Sequence, residues 1–425
     1  MAATFAAEAD GAAIQGEDPN LEDEYAQLVR QLAPPPSFDE NAREAMSAVA
    51  DAAREVFGEE ATVLPFGSLV QGLQLVGSDL DLCIEIPELV GNDDGGPKID
   101  ALRRLMGKLP GSFRVVETRL RRTMKVPIII LAFKSSSGEE VETDICVGAE
   151  TEGVPKGFTD RLVRRLLSRL SKAVYLARMV KLWARVEKLN KAYDGFLNSL
   201  GWTLMVLFFY IERGEIVSDD MHQEEANENG LDGDGSLPPP LHGGTDEAEL
   251  HGLPSHEEAA EFFEWLTAYW ATWPEDAPNN AWGISLVDSS IIAVPSASKQ
   301  WSDQCAFFVE DPGVRLTKGT SENVARSLKT VAWNQTLERC NGTAVALRGD
   351  AGRAKSWISR LLREAAAEHK AKVTPAMAVR QAATWPQRGM AQPFMPPAKR
   401  PRGEICRWFL MGECWSGDRC RNSHG

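Results

Sequence analysis

Phe66-Gly-Ser-Leu-Val-Gln-Gly-Leu-Gln-Leu-Val-Gly-Ser-Asp-Leu-Asp-Leu82 carries the strongest structural signal in the chain. The preceding run, Ala61–Phe66, reads as a strand, and Gly67-Ser68 ends it and opens a helix. Glycine lets backbone come close to a phosphate, helix N–H groups point at it, and the serine hydroxyl adds a donor. Downstream, Leu80–Ile86 alternates as a strand does: Asp79, Asp81, Cys83 and Glu85 fall on one face, and Leu80, Leu82, Ile84 and Ile86 on the other. Two carboxylates on one face suit a pair of divalent cations, which hold the attacking and leaving oxygens of phosphoryl transfer. A third, Asp144 in Val141-Glu-Thr-Asp-Ile-Cys-Val147, has strand flanks and would ligand one metal and help deprotonate the attacking hydroxyl. Gly-Ser or Asp-x-Asp alone reads as a turn or a solvated strand face; their order and placement point to chemistry.

Around this segment, Arg114–Glu117, Val126–Phe133 and Val141–Val147 read as further strands, and Asp39–Phe57 as a helix. The first third is therefore α+β with a mixed sheet. From Phe158 the period becomes helical, with helices expected at Leu162–Ala184, Ser199–Ile211, Glu257–Trp273, Thr320–Cys340 and Ala351–Lys372. Ser199–Ile211 is apolar all round and so is expected to be central. The layout expected is an acidic disordered segment 1–37, a catalytic domain 38–157, a helical domain 158–372 with a disordered acidic insert 215–256, a linker 373–403, and a small C-terminal module 404–425.

The 425 residues carry a formal net charge of −15, unevenly spread. Residues 1–29 hold seven acids and 215–261 fourteen, with no Lys or Arg in either; without them, the rest has 46 basic against 40 acidic residues. The global sign thus does not exclude a nucleic-acid partner. The acid runs read as solvated segments that recruit basic protein partners, and the insert's His222, His242, His251 and His256 as solvated side chains, with a metal site there as the lesser alternative. Composition excludes collagen, coiled coil and wholesale disorder. The longest nearly pure apolar run, Gly201–Ile211, is too short to span a bilayer, so no membrane partner is expected. The N-terminus lacks the basic and apolar regions of a signal peptide, which implies an intracellular protein, cytoplasmic or nuclear.

Together these motifs resemble the active-site signature of the DNA-polymerase-β-like nucleotidyltransferases, and more closely the non-canonical poly(A) polymerase and terminal uridylyltransferase family. Lys125-Val-Pro-Ile-Ile129, Val180-Lys-Leu-Trp-Ala-Arg185, Gly195-Phe-Leu-Asn-Ser-Leu-Gly-Trp202, Phe308-Val-Glu-Asp-Pro312 and Glu322-Asn-Val-Ala-Arg-Ser327 carry the resemblance over about residues 40–372. It implies Mg²⁺ (or Mn²⁺) on Asp79, Asp81 and Asp144, phosphate contacts from Gly67, Ser68, Lys181, Arg185 and Ser199, and Asn323 in the nucleotide-facing motif. It also implies a mainly helical poly(A)-polymerase-associated domain after the catalytic one. Without it, Lys181 and Arg185 would read as a solvated basic stripe. Three positions depart from the family pattern. Leu200 stands where a base-stacking Tyr is common, with Trp202 or Phe196 as substitutes. Glu322 stands where uridine-selective members have His. The family's ribose-contacting Asn is not evident in Gly153–Phe158.

Cys406-x7-Cys414-x5-Cys420-x3-His424 resembles a CCCH zinc finger. Three thiolates and one imidazole suit tetrahedral Zn²⁺, whose binding supplies the folding energy that so small a segment lacks. Such fingers bind single-stranded RNA, here through Trp408, Phe409 and Arg407. A protein-binding finger is the alternative.

The whole points to a template-independent transferase adding UMP or AMP, from UTP or ATP, to single-stranded RNA 3′ ends. A nucleotide second-messenger synthase on the same fold and a non-catalytic RNA-binding adaptor are the alternatives.

Overall fold

In the computed structural model, residues 19–89, 94–121, 126–148, 150–151, 154–218, 241, 252–271, 282–293 and 306–373 are described. The first half runs α1 (Pro19–Arg30), α2 (Ser37–Phe57), β1 (Thr62–Phe66), α3 (Ser68–Gln71), β2 (Leu80–Glu85), α4 (Gly95–Met106), β3 (Phe113–Arg119), β4 (Ile128–Lys134), β5 (Glu140–Val147), β6 (Glu150–Thr151) and β7 (Val154–Pro155). The second runs α5 (Phe158–Ser168), α6 (Ser171–Val186), α7 (Ser199–Glu212), α8 (His256–Ala271), β8 (Trp282–Ser285), β9 (Ser290–Ala293), β10 (Phe308–Val309), α9 (Pro312–Lys318), α10 (Thr330–Leu347) and α11 (Ala351–Val373).

The expected mixed sheet is present, in the order β1-β2-β5-β4-β3. Its β2–β5 pair is parallel and its other pairs antiparallel. Period-2 alternation sends Leu80, Leu82, Ile84, Ile129, Leu131 and Ile145 to one face, where α2 and α4 cover them. Small residues on α2 (Ala42, Ala45, Ala52, Ala53) let it lie close to the sheet. Asp81 and Asp144, direct partners across β2 and β5, are left on the opposite face.

A second core is helical. The sequence of α7 is buried continuously from Gly201 to Ile211, as an all-round apolar helix must be, and α6 and α8 pack against it. Trp183 meets Trp202 edge-to-face at 5.4 Å and Phe263 at 4.8 Å. Leu73 and Leu75, from the loop between Gly67-Ser68 and Asp79, insert into this core, so the loop ties the two halves together.

Several expectations are corrected. The segment 1–37 is not disordered throughout: α1 lies along α11, with Tyr25, Val29 and Leu32 in the helical core and Glu24 paired with Lys355. Of the acids in this helix, Asp23 is exposed, while Glu22 and Glu24 are half-buried against partners from the helical half. His256 is not a solvated insert histidine. It is 2% exposed and starts α8, with its ring nitrogens 3.0 Å from the Glu22 and Glu257 carboxylates. Leu162–Ala184 is two helices, separated where Leu170 adopts an extended conformation. Thr320–Lys329 is irregular, and α10 starts only at Thr330, because the Asn323 side chain organises that backbone into turns. The rest of the acidic insert (219–240, 242–251), the linker and the zinc-finger segment lie outside the described residues. Among the described residues no helix is long and apolar enough to cross a membrane, and Cys83, Cys146 and Cys340 are free and buried.

If α1 is part of the folded body, Tyr25→Ala lowers the unfolding free energy by about 3 kcal/mol, the usual cost of removing a buried aromatic ring. Exposed Gln27→Ala on the same helix stays within about 0.5 kcal/mol. Urea denaturation of both variants checks this, and equal midpoints would contradict it.

Candidate active site

The turn after β1 is built around Asp81. Strand pairing puts Phe66 opposite Asp81, which brings the Asp81 carboxylate against Gly67. A Cβ at residue 67 would lie 2.5 Å from Asp81 Oδ2, and φ there is +69°. Both the space and the backbone therefore require glycine. The helix opened by Ser68 is a single turn. The Gly67 N–H does not face an empty phosphate site, since it donates to Asp160 Oδ2 at 2.8 Å.

Asp81 and Asp144 face each other in register, and Asp79 immediately precedes β2. Burial, reinforced by Asp144 and Asp79, pushes the Asp81 carboxyl well above the usual carboxylate range. The three do not form a closed cage: among the described residues, no three His, Cys, Asp or Glu side chains converge to hold a metal ion.

The cations expected on α6 are there, but they are not a solvated stripe. Lys181 is buried and donates through Nζ to the Leu73 carbonyl at 3.3 Å. Arg185 Nη2 donates to the Val76 carbonyl at 3.2 Å, with its Nε 3.7 Å from Glu368 of α11. Burial pushes Lys181 down to about 8, opposed by the charges of Asp81 and Asp160. Burial likewise lowers Arg185, opposed by Glu368 and Asp79. Both cations thus sit within electrostatic reach of the carboxylates while holding the loop that carries them.

Beside Gly67 lies a cavity of about 350 Å³, walled by Phe66, Lys156, Asp160, Leu200, Glu322 and Arg326 among others. Ser199 is exposed at the start of α7, whose N-terminus is capped by Asn198 (Oδ1 accepts from Gly201 N at 2.7 Å). Asn323 lines the cavity, but its amide works on backbone: Oδ1 accepts from Val309 N and Ala325 N, and Nδ2 donates to Phe307 O. Trp202 cannot replace the missing stacking ring, because it is fully buried and its indole N–H donates to the Leu189 carbonyl. Phe196 packs against the helical core. Leu200 itself lines the cavity, and Glu322 pairs with Arg326 at its wall. Asp160 and Arg178 also hold this loop, and the sequence marks Asp160 only as an acid at a helix start and Arg178 not at all.

A family model, the central palm domain of mitochondrial-like poly(A) RNA polymerase, matches residues 21–152. Terminal uridylyltransferase cid1 of Schizosaccharomyces pombe is 31% identical over 164 residues, 36% of this chain and 35% of that protein. The match thus spans about a third of the length of this curated relative. Solved structures are similar over more of the chain. A cytoplasmic RNA terminal U-transferase aligns with a TM-score of 0.54 at 19% identity, covering 78% of this chain and 95% of that one. The crystal structure of mtPAP in complex with UTP aligns at 0.57 and 16% identity, covering 84% and 78%. Terminal uridylyl transferase 4 from Trypanosoma brucei with bound dUTP aligns at 0.52 and 19%, covering 76% and 98%. The fold is that of a polymerase-β-like nucleotidyltransferase. Within it, Lys181 feels the charges of Asp81 and Asp160, and Arg185 that of Asp79.

The raised Asp81 carboxyl has a measurable consequence. Between its unfolded and folded values the native state holds a proton that the unfolded state has lost, so this group's contribution to stability falls as pH rises through that interval. Removing the charge relieves the repulsion. Asp81→Asn is therefore expected to melt at a higher temperature than the parent protein at neutral pH in the presence of a chelator, with the difference shrinking in acid. A lower melting temperature at neutral pH would contradict this.

Proposed function

We propose that the protein is a template-independent RNA 3′-terminal nucleotidyltransferase that adds UMP or AMP from the corresponding nucleoside triphosphate. The observation that carries this reading is the in-register pairing of Asp81 with Asp144, beside Asp79 and within reach of Lys181 and Arg185. Supporting it are relatives named as terminal uridylyltransferases and a poly(A) polymerase, with structures described as bound to UTP, dUTP and MgATP.

The donor set fits magnesium: three carboxylates offer only hard oxygens, and their mutual repulsion favours a cation between them. Asp79, Asp81 and Asp144 would hold Mg²⁺, or Mn²⁺ in its place, which when bound supplies neutralisation of phosphate charge and a more acidic 3′-hydroxyl. The carboxylates form no closed cage among the described residues, and Mg²⁺ is usually held by only one or two carboxylates together with substrate phosphates.

The chain's own groups do the rest. Lys181 and Arg185, four residues apart on one face of α6, neutralise the β- and γ-phosphates, and Ser68 and Ser199 donate to the same group. The cavity beside Gly67 receives the nucleoside, with Asn323 holding its wall in shape. Asp144 takes the proton as the 3′-oxygen attacks the α-phosphorus, and pyrophosphate leaves. Residues 38–157 serve as the catalytic domain and 158–372 as the helical domain that closes the cleft. Beyond the linker, Cys406, Cys414, Cys420 and His424 would hold Zn²⁺, and Trp408, Phe409 and Arg407 would bind single-stranded RNA, raising its local concentration.

Incubation with labelled single-stranded RNA, Mg²⁺ and each nucleoside triphosphate separately tests this. The expected result is a ladder with UTP or ATP that is absent for Asp79→Ala/Asp81→Ala and for Asp144→Ala. No extension with any nucleotide or with Mn²⁺, while the RNA still shifts on a gel, would point instead to an RNA-binding adaptor.

The depressed Lys181 predicts the alkaline side of the pH profile. Lys181 carries its charge below about pH 8 and loses it above. Since kcat/KM reports the free protein, it is expected to fall as pH rises past that value. Lys181→Arg keeps the charge and should flatten that limb. An unchanged limb in the variant would assign it to another group.

A further inference from the structure

We propose that Asp160 and Arg178 are positioning residues that hold the one-turn helix α3, and with it Ser68, by its two ends. The catalytic consequence rests on the function proposed above; the clamp itself does not.

Helix α3 has four residues, Ser68–Gln71, and one turn of helix has no stability of its own because nucleation is unfavourable. It is also bounded by two glycines at positive φ, Gly67 at +69° and Gly72, in the left-handed helical conformation, at +75°. Nothing in its local sequence fixes its orientation. Something outside it must fix its orientation.

At its N-terminal end stands Asp160, buried at 9% exposure. Its Oδ2 accepts from the Gly67 N–H at 2.8 Å and its Oδ1 from Gln71 Nε2 at 2.7 Å. One carboxylate therefore spans the helix from the residue before it to its last residue. With both oxygens engaged by protein donors, Asp160 lines the cavity without serving as a fourth metal ligand.

At the C-terminal end stands Arg178, 2% exposed. Its Nη2 donates to the Gly72 carbonyl at 3.0 Å and to the Leu241 carbonyl at 3.3 Å. The Leu241 side chain closes the same corner: a Cβ on Gly72 would lie 2.7 Å from it. The charges match the backbone groups they meet, the carboxylate accepting from an N–H and the guanidinium donating to a carbonyl.

Each clamp residue is itself anchored in the helical half. Asp160 lies in the first turn of α5, where its neighbour Thr159 donates to Asp311 Oδ1 at 2.7 Å and Asp311 caps α9. On α6, Arg178 opens a face on which Lys181 and Arg185 follow. The three donate in order to Gly72, Leu73 and Val76. The loop from the Gly-Ser turn toward Asp79 is thus read out carbonyl by carbonyl from α6, while Asp160 holds its beginning.

Hydrogen–deuterium exchange on the full chain tests the clamp without any need for activity. In Asp160→Asn and in Arg178→Gln, peptides covering 67–76 should exchange about tenfold faster or more, while those of β4 and β5 stay as in the parent protein. Arg178→Lys, which keeps a donor and the charge, should restore most of the protection. Unchanged exchange over 67–76 overturns the proposal, and so does a rise of equal size throughout the chain, which would mean general destabilisation. The catalytic arm is a double-mutant cycle in the RNA extension assay. Asp160→Asn should lower kcat about tenfold or more with little change in KM for the nucleotide, and should cost little more once Ser68 is already Ala. Losses that simply multiply would show that Asp160 does not act through Ser68. If the parent protein extends no RNA, the proposed function fails, while the exchange result still decides the clamp.

Discussion

Two carboxylates set side by side in a partly buried place repel each other, and the parallel pairing of β2 with β5 does this to Asp81 and Asp144. Much of the surrounding structure answers that one constraint. Gly67 lacks a side chain because the Asp81 carboxylate occupies the space where a Cβ would be. Lys181 is carried into the interior despite the desolvation of its ammonium group, with Asp81 and Asp160 offsetting part of that loss. Arg185 plays the same part toward Asp79 from nearer the surface. Charged groups perturbed in this way by burial and by one another are found preferentially at functional sites.

The two hydrophobic cores explain how the site stays in register. One lies between the sheet and α2 and α4, the other among the helices, and the loop from Gly67 to Asp79 belongs to both. Leu69 anchors it to the first, while Leu73 and Leu75 anchor it to the second. Buried charges from α5 and α6 engage its backbone at Gly67, Gly72 and Leu73. Of the described acids of α1, Glu22 lies against His256 and Glu24 pairs with Lys355 of α11.

Some features were legible in the sequence because they depend on near neighbours. The alternation in Leu80–Ile86 puts Asp81 on a polar face whatever lies around it, and the all-apolar run of α7 can only be buried. Others were not, because the same local signal has two outcomes. An acid-rich amphipathic stretch such as α1 is a solvated coil or a docked helix according to whether a groove exists to receive Tyr25 and Val29. Asn323 could have capped a helix, but the nearby β10 backbone gave its amide better use. His256 looked solvated until Glu22, more than two hundred residues away in sequence, came to lie against it.

Periodicity and residue chemistry alone establish a mixed sheet bearing an Asp pair behind a Gly-Ser turn, followed by helices with two cations one turn apart, since each is a pattern within a few residues. Long-range packing settles what those groups do to one another. Only strand order sets Asp81 against Asp144, and only the docking of α5 and α6 on the loop gives Asp160 and Arg178 their partners. Carboxylate repulsion and buried hydrogen bonds act over a few ångströms of space, and separation along the chain does not encode that distance.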